Sequence, residues 1–151
     1  MTRDTLVPRA DTETLIDLAL AQPFGRLLDL GTGTGAIAVT LLAERPAARG
    51  VASDLSAPAL AVAAEHAARH GVAGRLQLCE ADWWAGIEGV FDLVVSTPPY
   101  VTEAEYAGLA PEVRHWEPRA ALTPGGDGLS AYRAILAGLG GHLAPGGLCL
   151  L

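Results

Sequence analysis

Short apolar runs alternate with helix-like segments along this chain, and the alternation limits the folds that it can adopt. Runs of four to six residues predict buried strands at Arg26–Leu30, Val51–Asp54, Leu76–Cys79 and Phe91–Ser96, and Leu148 opens a fifth. Predicted helices run from Asp11 or Thr12 to about Ala21, from Ala36 to Glu44, from Ser56 to His70 and from Leu129 to Leu143. Apolar strands separated by helices are typical of a parallel sheet covered on both faces. We therefore expect an α/β fold with a doubly wound, mostly parallel sheet, and the long Pro-rich segment after Ser96 is expected to be functional.

The charge of the chain argues against one class of partner. All 10 basic residues are arginines, and 17 acidic residues leave a net charge of −7. Non-specific binding to a nucleic-acid backbone depends on neutralising phosphates with cations. We therefore expect no direct nucleic-acid partner.

Cysteine use and hydropathy define the expected compartment. Cys79 and Cys149 are isolated in apolar runs, which predicts buried free thiols rather than a disulfide framework or a metal site. No apolar stretch reaches the ~18 residues of a membrane span, and Met1–Pro8 lacks a signal-peptide core. The prediction is a cytoplasmic protein with no membrane partner and no bound metal.

A glycine-rich loop at Asp29–Gly35 is the strongest local signal. Gly31, Gly33 and Gly35 allow sharp turns and close approach of a ligand to the backbone, and Thr32 lies among them at the start of a helix. Gly31, Gly33 and Ala36 also fit the dinucleotide pattern G-x-G-x-x-A. Asp29 favours a different ligand, one with a cationic amino-acid end.

Acidic residues also end the next two strands. Asp54, followed by Leu55, is placed to accept both hydroxyls of a ribose. Asp82 and Trp83 could hold the amino group and the ring face of an adenine, whereas Trp84 could equally fill the core. Carboxyl ends of parallel strands share one edge of the sheet, so the sequence predicts a ligand site there.

A rigid turn follows the fourth strand at Thr97-Pro98-Pro99-Tyr100. The two prolines remove two N–H donors and stiffen the backbone, which leaves the carbonyls of Thr97 and Pro98 free to accept. Such a frame could bind a planar NH₂ group, with Tyr100 packing against it.

Taken together, these motifs resemble class I S-adenosylmethionine-dependent methyltransferases that act on exocyclic or amide nitrogens. The sequence is most similar to the HemK/PrmC-type protein-(glutamine-N5) methyltransferases of peptide-chain release factors. Val7–Glu13, Glu117–Leu122 and Gly125–Leu129 carry the closer match. The resemblance implies a Rossmann-like core with strand order 3-2-1-4-5, S-adenosylmethionine as cofactor, and a glutamine of the Gly-Gly-Gln motif as methyl acceptor.

The chain departs from that family in two respects. The family begins with a helical substrate-recognition domain and continues its sheet beyond the fifth strand, so we expect residues 1–151 to be a catalytic domain that is C-terminally incomplete. The family's Asn before Pro-Pro-Tyr is Thr97 here. A single hydroxyl does not reproduce the planar pairing of an amide side chain with an amide substrate.

Three other functions remain open from the residues. One is an NAD-linked oxidoreductase, against which Asp29 and the Pro-Pro-Tyr turn argue. Another is a truncated domain that holds the cofactor without chemistry, and the third is methylation of another nitrogen such as adenine N6. The remaining polar residues are assigned structural roles: His66 and His70 as a solvated helix surface, His142 at a helix end, and Arg9, Glu13, His115, Trp116, Glu117 and Arg119 as packing contacts near the site.

Overall fold

A computed structural model describes residues 10–110, 113 and 118–151 of the chain. Its strands are β1 (Arg26–Leu30), β2 (Arg49–Asp54), β3 (Leu76–Glu80), β4 (Phe91–Ser96) and β5 (Leu143–Leu150). Its helices are α1 (Ala10–Leu20), α2 (Ala36–Glu44), α3 (Ala57–Arg69), α4 (Glu103–Gly108), α5 (Arg119–Leu122) and α6 (Ser130–His142), with a 3₁₀ turn at Ala73–Arg75. The predicted elements up to β4 are therefore confirmed, with ends that move by a few residues at most.

The five strands form one sheet in the order β3-β2-β1-β4-β5, and every neighbouring pair is parallel. This order confirms the expected doubly wound α/β topology. The chain reverses its direction of sheet growth between β1 and β4. A crevice opens at such a point outside the carboxyl ends of the strands, and open α/β sheets bind ligands in it.

Apolar side chains cover the two faces of the sheet as separate clusters. On one face, Leu27 and Leu93 pack with α1 and α2. On the other, Leu28, Leu30 and Val94 pack with Ile135 of α6. The alternation of the pleat sends successive side chains of β1 to opposite faces, so each strand contributes to both clusters.

The fifth strand begins earlier than the sequence predicts. The prediction placed its start at Leu148, whereas β5 already pairs with β4 at Leu143. The register then shifts, because Phe91 lies opposite Leu143 and Leu93 lies opposite Leu148. The intervening Pro145-Gly146-Gly147 forms an irregularity, and a Cβ added at Gly147 would lie 3.0 Å from the carbonyl oxygen of Asp92. Because a bulge of this kind places Pro and Gly within the strand, it breaks the apolar pattern, and the first part of the strand cannot be recognised from the sequence.

The segment after β4 holds two short helices. Thr102 caps α4 through a reciprocal capping box with Glu105, and Arg119–Leu122 forms α5. The backbone N–H of Val101 donates to the carbonyl of Leu122, which brings α5 back beside the end of β4. The described part of this segment is thus folded against the carboxyl edge of the sheet.

Candidate functional site

A cavity of about 580 Å³ lies at the carboxyl ends of β1 to β4. Its volume falls in the range of roughly 300–1,000 Å³ that is usual for small-molecule sites. Most residues that the sequence predicts for the site line it: Gly31, Thr32, Gly33, Asp54, Leu55, Asp82, Trp83, Thr97, Pro98, Pro99 and Tyr100. Asp29 and Gly35 are buried behind this wall and do not line the cavity.

The glycine-rich loop needs glycine for its close approach to α3. Gly35 has φ +78°, and a Cβ added there would lie 3.0 Å from the Cβ of Ala63. The N–H of Gly35 donates to the carbonyl of Thr32 at 2.9 Å, and the N–H of Thr32 donates to Ser53 at 2.8 Å. Gly31, Gly33 and Gly35 all have positive φ, as a tight turn requires, and at Gly35 the loop also lies directly against α3.

The loop ends at the start of α2, which has no side-chain cap. Gly35 is its N-cap residue and supplies no side-chain acceptor. Ala36 and Ile37, in the first turn of the helix, line the cavity. First-turn N–H groups lack partners within a helix and carry the positive end of its dipole. This wall of the cavity therefore favours an anionic group.

Asp29 lies beneath the loop with its side chain fully buried. Its Oδ2 accepts a hydrogen bond from the Thr32 hydroxyl at 2.6 Å, while Oδ1 has no hydrogen-bond partner in the described part of the chain. Burial raises the pKa of this carboxyl from 3.8 to about 6, against the opposing effects of the Thr32 hydroxyl and the Ala38 amide, and Asp54 adds a small further rise. Because it alternates with Leu28 and Leu30, Asp29 points toward the α2 face of the sheet.

Asp54 connects the end of β2 to the glycine-rich loop. Its Oδ2 accepts from the N–H of Gly33 at 2.8 Å, and its Oδ1 accepts from the N–H of Ser56 at 2.9 Å. Each carboxylate oxygen has a second lone pair, so the group can still accept hydrogen bonds from a ligand in the cavity. The sequence identified Asp54 but did not reveal that it also holds the loop.

The two adjacent tryptophans after β3 have different environments. Trp83 has φ +49°, a conformation that bulky residues rarely adopt, and its ring lies beside Gly31 at the cavity wall. Trp84 points away from the cavity and donates its indole N–H to the carbonyls of Ala134 and Ile135, each at 3.0 Å. Trp84 therefore belongs to the packing of α6, which resolves the alternative that the sequence left open.

The Pro-Pro turn is anchored at its base. The hydroxyl of Ser96 donates to the Leu30 carbonyl at 2.6 Å and joins β4 to β1 at the edge of the cavity. Thr97 is exposed, and Tyr100 has a relative exposure of 54%. Within the described residues the carbonyls of Thr97 and Pro98 accept no hydrogen bond, so they remain available to a donor in the cavity.

Gly128, in the loop before α6, packs against the Thr97–Tyr100 turn. Gly128 has φ +76°, and a Cβ added there would lie 2.4 Å from the carbonyl oxygen of Tyr100. Only glycine allows the loop before α6 to approach the turn so closely. The loop and α5 together hold the turn between β4 and the rest of the domain.

The prediction that His66 lies on a solvated helix surface is wrong. His66 is half-buried, and its Nδ1 lies 2.9 Å from the carbonyl oxygen of Thr34 in the glycine-rich loop. His70 is exposed, as expected. His142 stacks on Trp84 with ring centroids 4.7 Å apart, and its Nδ1 contacts the Gly89 carbonyl.

Several other sequence assignments concern the neighbourhood of the site. Arg119 forms an ion pair with Glu103 and places its guanidinium over the ring of Tyr106, which are packing contacts. Glu13 is exposed on α1. The remaining assignments lie outside the described residues: Arg9, His115, Trp116 and Glu117.

Some lining residues were not predicted as site residues. Asp11 and Thr12 reach the cavity from α1, Ala59 reaches it from α3, and α5 closes one side with Ala120 and Ala121. Asp11 and Thr12 fall in a segment already singled out by its resemblance to the family. The alanines carry no chemical signal that could have identified them.

Three further observations bear on the predicted class of site. Among the described residues, no group of three or more His, Cys, Asp and Glu side chains could hold a metal ion. In the same part of the chain, no helix is long and apolar enough to cross a bilayer. Cys79 and Cys149 are free and half-buried, and burial raises the pKa of both thiols.

The fold and the cavity define a Rossmann-like α/β domain with a cavity of small-molecule size at the switch point of its sheet. A family model described as "Methyltransferase small domain" matches residues 10–129. The chain belongs to this methyltransferase family. A curated relative from Cereibacter sphaeroides, named "Release factor glutamine methyltransferase", is 64% identical over 151 residues, covering 100% of this chain and 54% of the relative. The chain thus spans about half the length of the curated relatives that it matches.

Solved structures support the fold assignment. TrmN from Thermus thermophilus matches with a TM-score of 0.66 and 24% identity over 92% of this chain and 36% of its own. A Geobacter sulfurreducens S-adenosylmethionine-dependent methyltransferase, solved with S-adenosyl-L-homocysteine, matches with a TM-score of 0.62 and 20% identity over 97% of this chain and 49% of its own. At these identities the likeness establishes the class I methyltransferase fold.

Proposed function

We propose that residues 1–151 form the catalytic domain of an S-adenosylmethionine-dependent protein-(glutamine-N5) methyltransferase. Its methyl acceptor is the glutamine amide in the Gly-Gly-Gln motif of a peptide-chain release factor. The observation that carries the proposal is a single cavity lined by the glycine-rich loop, by Asp54 and by the Thr97–Tyr100 turn. The name of the Cereibacter sphaeroides relative supports the choice of substrate.

The residues on one side of the cavity fit S-adenosylmethionine. Asp54 offers free lone pairs to the two ribose hydroxyls, with Leu55 beside it, and Asp82 with Trp83 suits the adenine amino group and ring. The uncapped start of α2 suits the carboxylate of the amino-acid end. Asp29, with one buried oxygen unpartnered, provides negative potential for the ammonium of that end from behind Thr32.

The residues on the other side fit an amide NH₂ group. When bound, S-adenosylmethionine supplies a methyl group made electrophilic by its sulfonium. The amide nitrogen is a weak nucleophile because its lone pair is delocalised. The free carbonyls of Thr97 and Pro98 accept from the N–H bonds, hold the nitrogen in line and raise its electron density. Tyr100 packs against the amide, and the proton that the nitrogen loses goes to solvent.

Thr97 limits how well this frame holds an amide. Its hydroxyl provides one polar group where an asparagine would present a donor and an acceptor in one plane. The side chain is exposed to the cavity, so nothing in the described residues competes for its hydroxyl. We expect slower transfer to glutamine than an asparagine at this position would give.

The same proposal specifies partner and location. The partner is a release factor bound as a protein, with no direct contact to nucleic acid or membrane. Release factors act in the cytoplasm, which places the reaction there. The net charge of −7 is consistent with a protein partner rather than with a phosphate backbone.

Methyl transfer to a purified release factor tests this function. The protein is incubated with S-adenosylmethionine and the release factor, and mass spectrometry of the tryptic peptide reports the methylated glutamine. A release factor with Gly-Gly-Ala in place of Gly-Gly-Gln is the control and should gain no methyl group. Binding of S-adenosylhomocysteine without transfer to the glutamine would rule out the proposed substrate while leaving the cofactor site standing.

A further inference from the structure

One face of α3 lies along the glycine-rich loop. Ala59, Ala63 and His66 follow the spacing that places residues on the same side of a helix. Ala59 lines the cavity, Ala63 lies against Gly35, and His66 contacts the carbonyl of Thr34. His66 is therefore the only polar side chain of the three, and it contacts a backbone carbonyl of the loop.

The contact assigns the proton on the ring. A carbonyl oxygen has no hydrogen to donate, so the 2.9 Å contact is a hydrogen bond only if His66 Nδ1 carries the proton. The neutral ring is thus the Nδ1–H tautomer, with Nε2 unprotonated. The cationic ring also carries a proton on Nδ1, so either form can make the contact.

The peptide group between Thr34 and Gly35 precedes a glycine and is therefore able to flip. A peptide flip there changes φ of Gly35, and glycine accepts both signs of φ at low cost. Two hydrogen bonds oppose the flip: Gly35 N–H donates to the Thr32 carbonyl, and the Thr34 carbonyl accepts from His66. His66 is the only side chain in the described residues that binds this peptide group.

We propose that His66 is a positioning residue for the cofactor site, which keeps the Thr34–Gly35 peptide in the orientation that the cavity requires. The inference rests on the proposed function, because it concerns the same loop. Asp54 holds the Thr32–Gly33 peptide through the Gly33 N–H, so β2 and α3 hold the loop at two peptides separated by one other. Without His66, part of the population has the flipped peptide and must reorganise before it binds the cofactor.

Isothermal calorimetry with S-adenosylhomocysteine tests the effect on binding. His66→Ala should raise the dissociation constant about 3- to 10-fold, the range expected for losing one neutral hydrogen bond. His66→Asn should bind within about twofold of the wild type, because its amide NH₂ can occupy nearly the place of Nδ1 and donate to the same carbonyl. His70→Ala removes the exposed imidazole four residues later, at the C-cap of α3, and should leave binding unchanged.

Steady-state kinetics separate positioning from chemistry. In His66→Ala the KM for S-adenosylmethionine should rise by the same factor as the dissociation constant, while kcat at saturation stays within about twofold. Equal binding by His66→Ala and the wild type would overturn the inference. A wild type that binds no S-adenosylhomocysteine would instead overturn the proposed function.

A spectroscopic measurement tests the contact even in the absence of ligand. Long-range ¹H–¹⁵N spectra distinguish the two neutral tautomers of each histidine by their nitrogen shifts. At a pH where the ring is neutral, His66 should be the Nδ1–H tautomer. An Nε2–H tautomer with bare Nδ1 cannot donate to Thr34 and would refute the inference whether or not His66→Ala folds.

Discussion

Removal of the Asp54 carboxylate has two separable consequences for ligand binding. In Asp54→Ala, the ribose hydroxyls of the ligand lose a charged acceptor. The loop also loses the bond from Gly33 N–H to Oδ2 at 2.8 Å, and Ser56 N–H loses its 2.9 Å bond to Oδ1. Weaker binding by itself would therefore not show which loss is responsible.

The two losses have different expected sizes. Loss of the hydrogen bonds from the ribose hydroxyls to the charged acceptor should cost about 1.5–3 kcal/mol of binding free energy. Loss of the bond that holds the loop should cost about 0.5–1 kcal/mol more. The sum of about 2–4 kcal/mol predicts that Asp54→Ala binds S-adenosylhomocysteine roughly 30- to 700-fold more weakly. Most of that loss should depend on the presence of the ribose hydroxyls.

A double cycle between protein and ligand isolates the ribose contribution. Calorimetry is performed on wild type and Asp54→Ala, each with S-adenosylhomocysteine and with its analogue lacking both ribose hydroxyls. We expect a coupling free energy of about 1.5–3 kcal/mol between the two changes. Asp82→Ala, which removes the carboxylate at the next strand end, is the control and should show coupling close to zero. If Asp54→Ala weakens both ligands equally, Asp54 acts through the loop alone and the ribose assignment is wrong.

Three further predictions concern other parts of the domain. Thr97→Asn should speed methylation of a Gly-Gly-Gln substrate roughly 5- to 150-fold, because about 1–3 kcal/mol of missing amide pairing is restored; S-adenosylhomocysteine affinity should not change, and a flat or lower rate would mean that threonine suits a different nitrogen. Burial raises the pKa of Asp29 from 3.8 to about 6, so the folded state holds this proton more tightly than the unfolded state does, and stability is lost as pH rises from about 4 to 6. Urea unfolding across that range should show Asp29→Asn losing about 3 kcal/mol less than the wild type, and parallel curves would refute the shift. Gly138→Ala should lower the free energy of unfolding by about 1–2 kcal/mol, since its Cβ would overlap the indole ring of Trp84, whereas Gly140→Ala in the same helix meets nothing within 4 Å and should gain up to about 1 kcal/mol.

Local pattern in the chain was enough to predict most of the sheet. The runs of β1 to β4 are short and mostly apolar, and a helix separates most of them, so hydropathy located each one to within a few residues. The resemblance to the family supplied the strand order, which the structure confirms. The glycine-rich loop and the Pro-Pro turn were also predictable, because glycine and proline restrict the backbone where they stand.

The start of β5 and the environment of Trp84 could not be predicted in this way. The Pro145–Gly147 stretch looks like a loop in sequence, yet it lies within β5, because Leu143 before it and Leu148 after it both pair with β4. Trp84 and Trp83 are adjacent and chemically identical, and only the position of α6 separates their roles.

The same distinction applies to the cavity itself. The residue types at the strand ends, Asp29 and Asp54, indicated a ligand site, because parallel strands bring their carboxyl ends to one edge. Whether each carboxylate faces the ligand depends on the pleat and on the loop above it: Asp29 is buried beneath Thr32, whereas Asp54 lines the cavity while binding Gly33. His66 joins the site only because α3 packs on the loop, 32 residues away from Thr34 in sequence. Local sequence encodes backbone preference and hydropathy, whereas contacts between distant residues arise from packing that no local pattern contains.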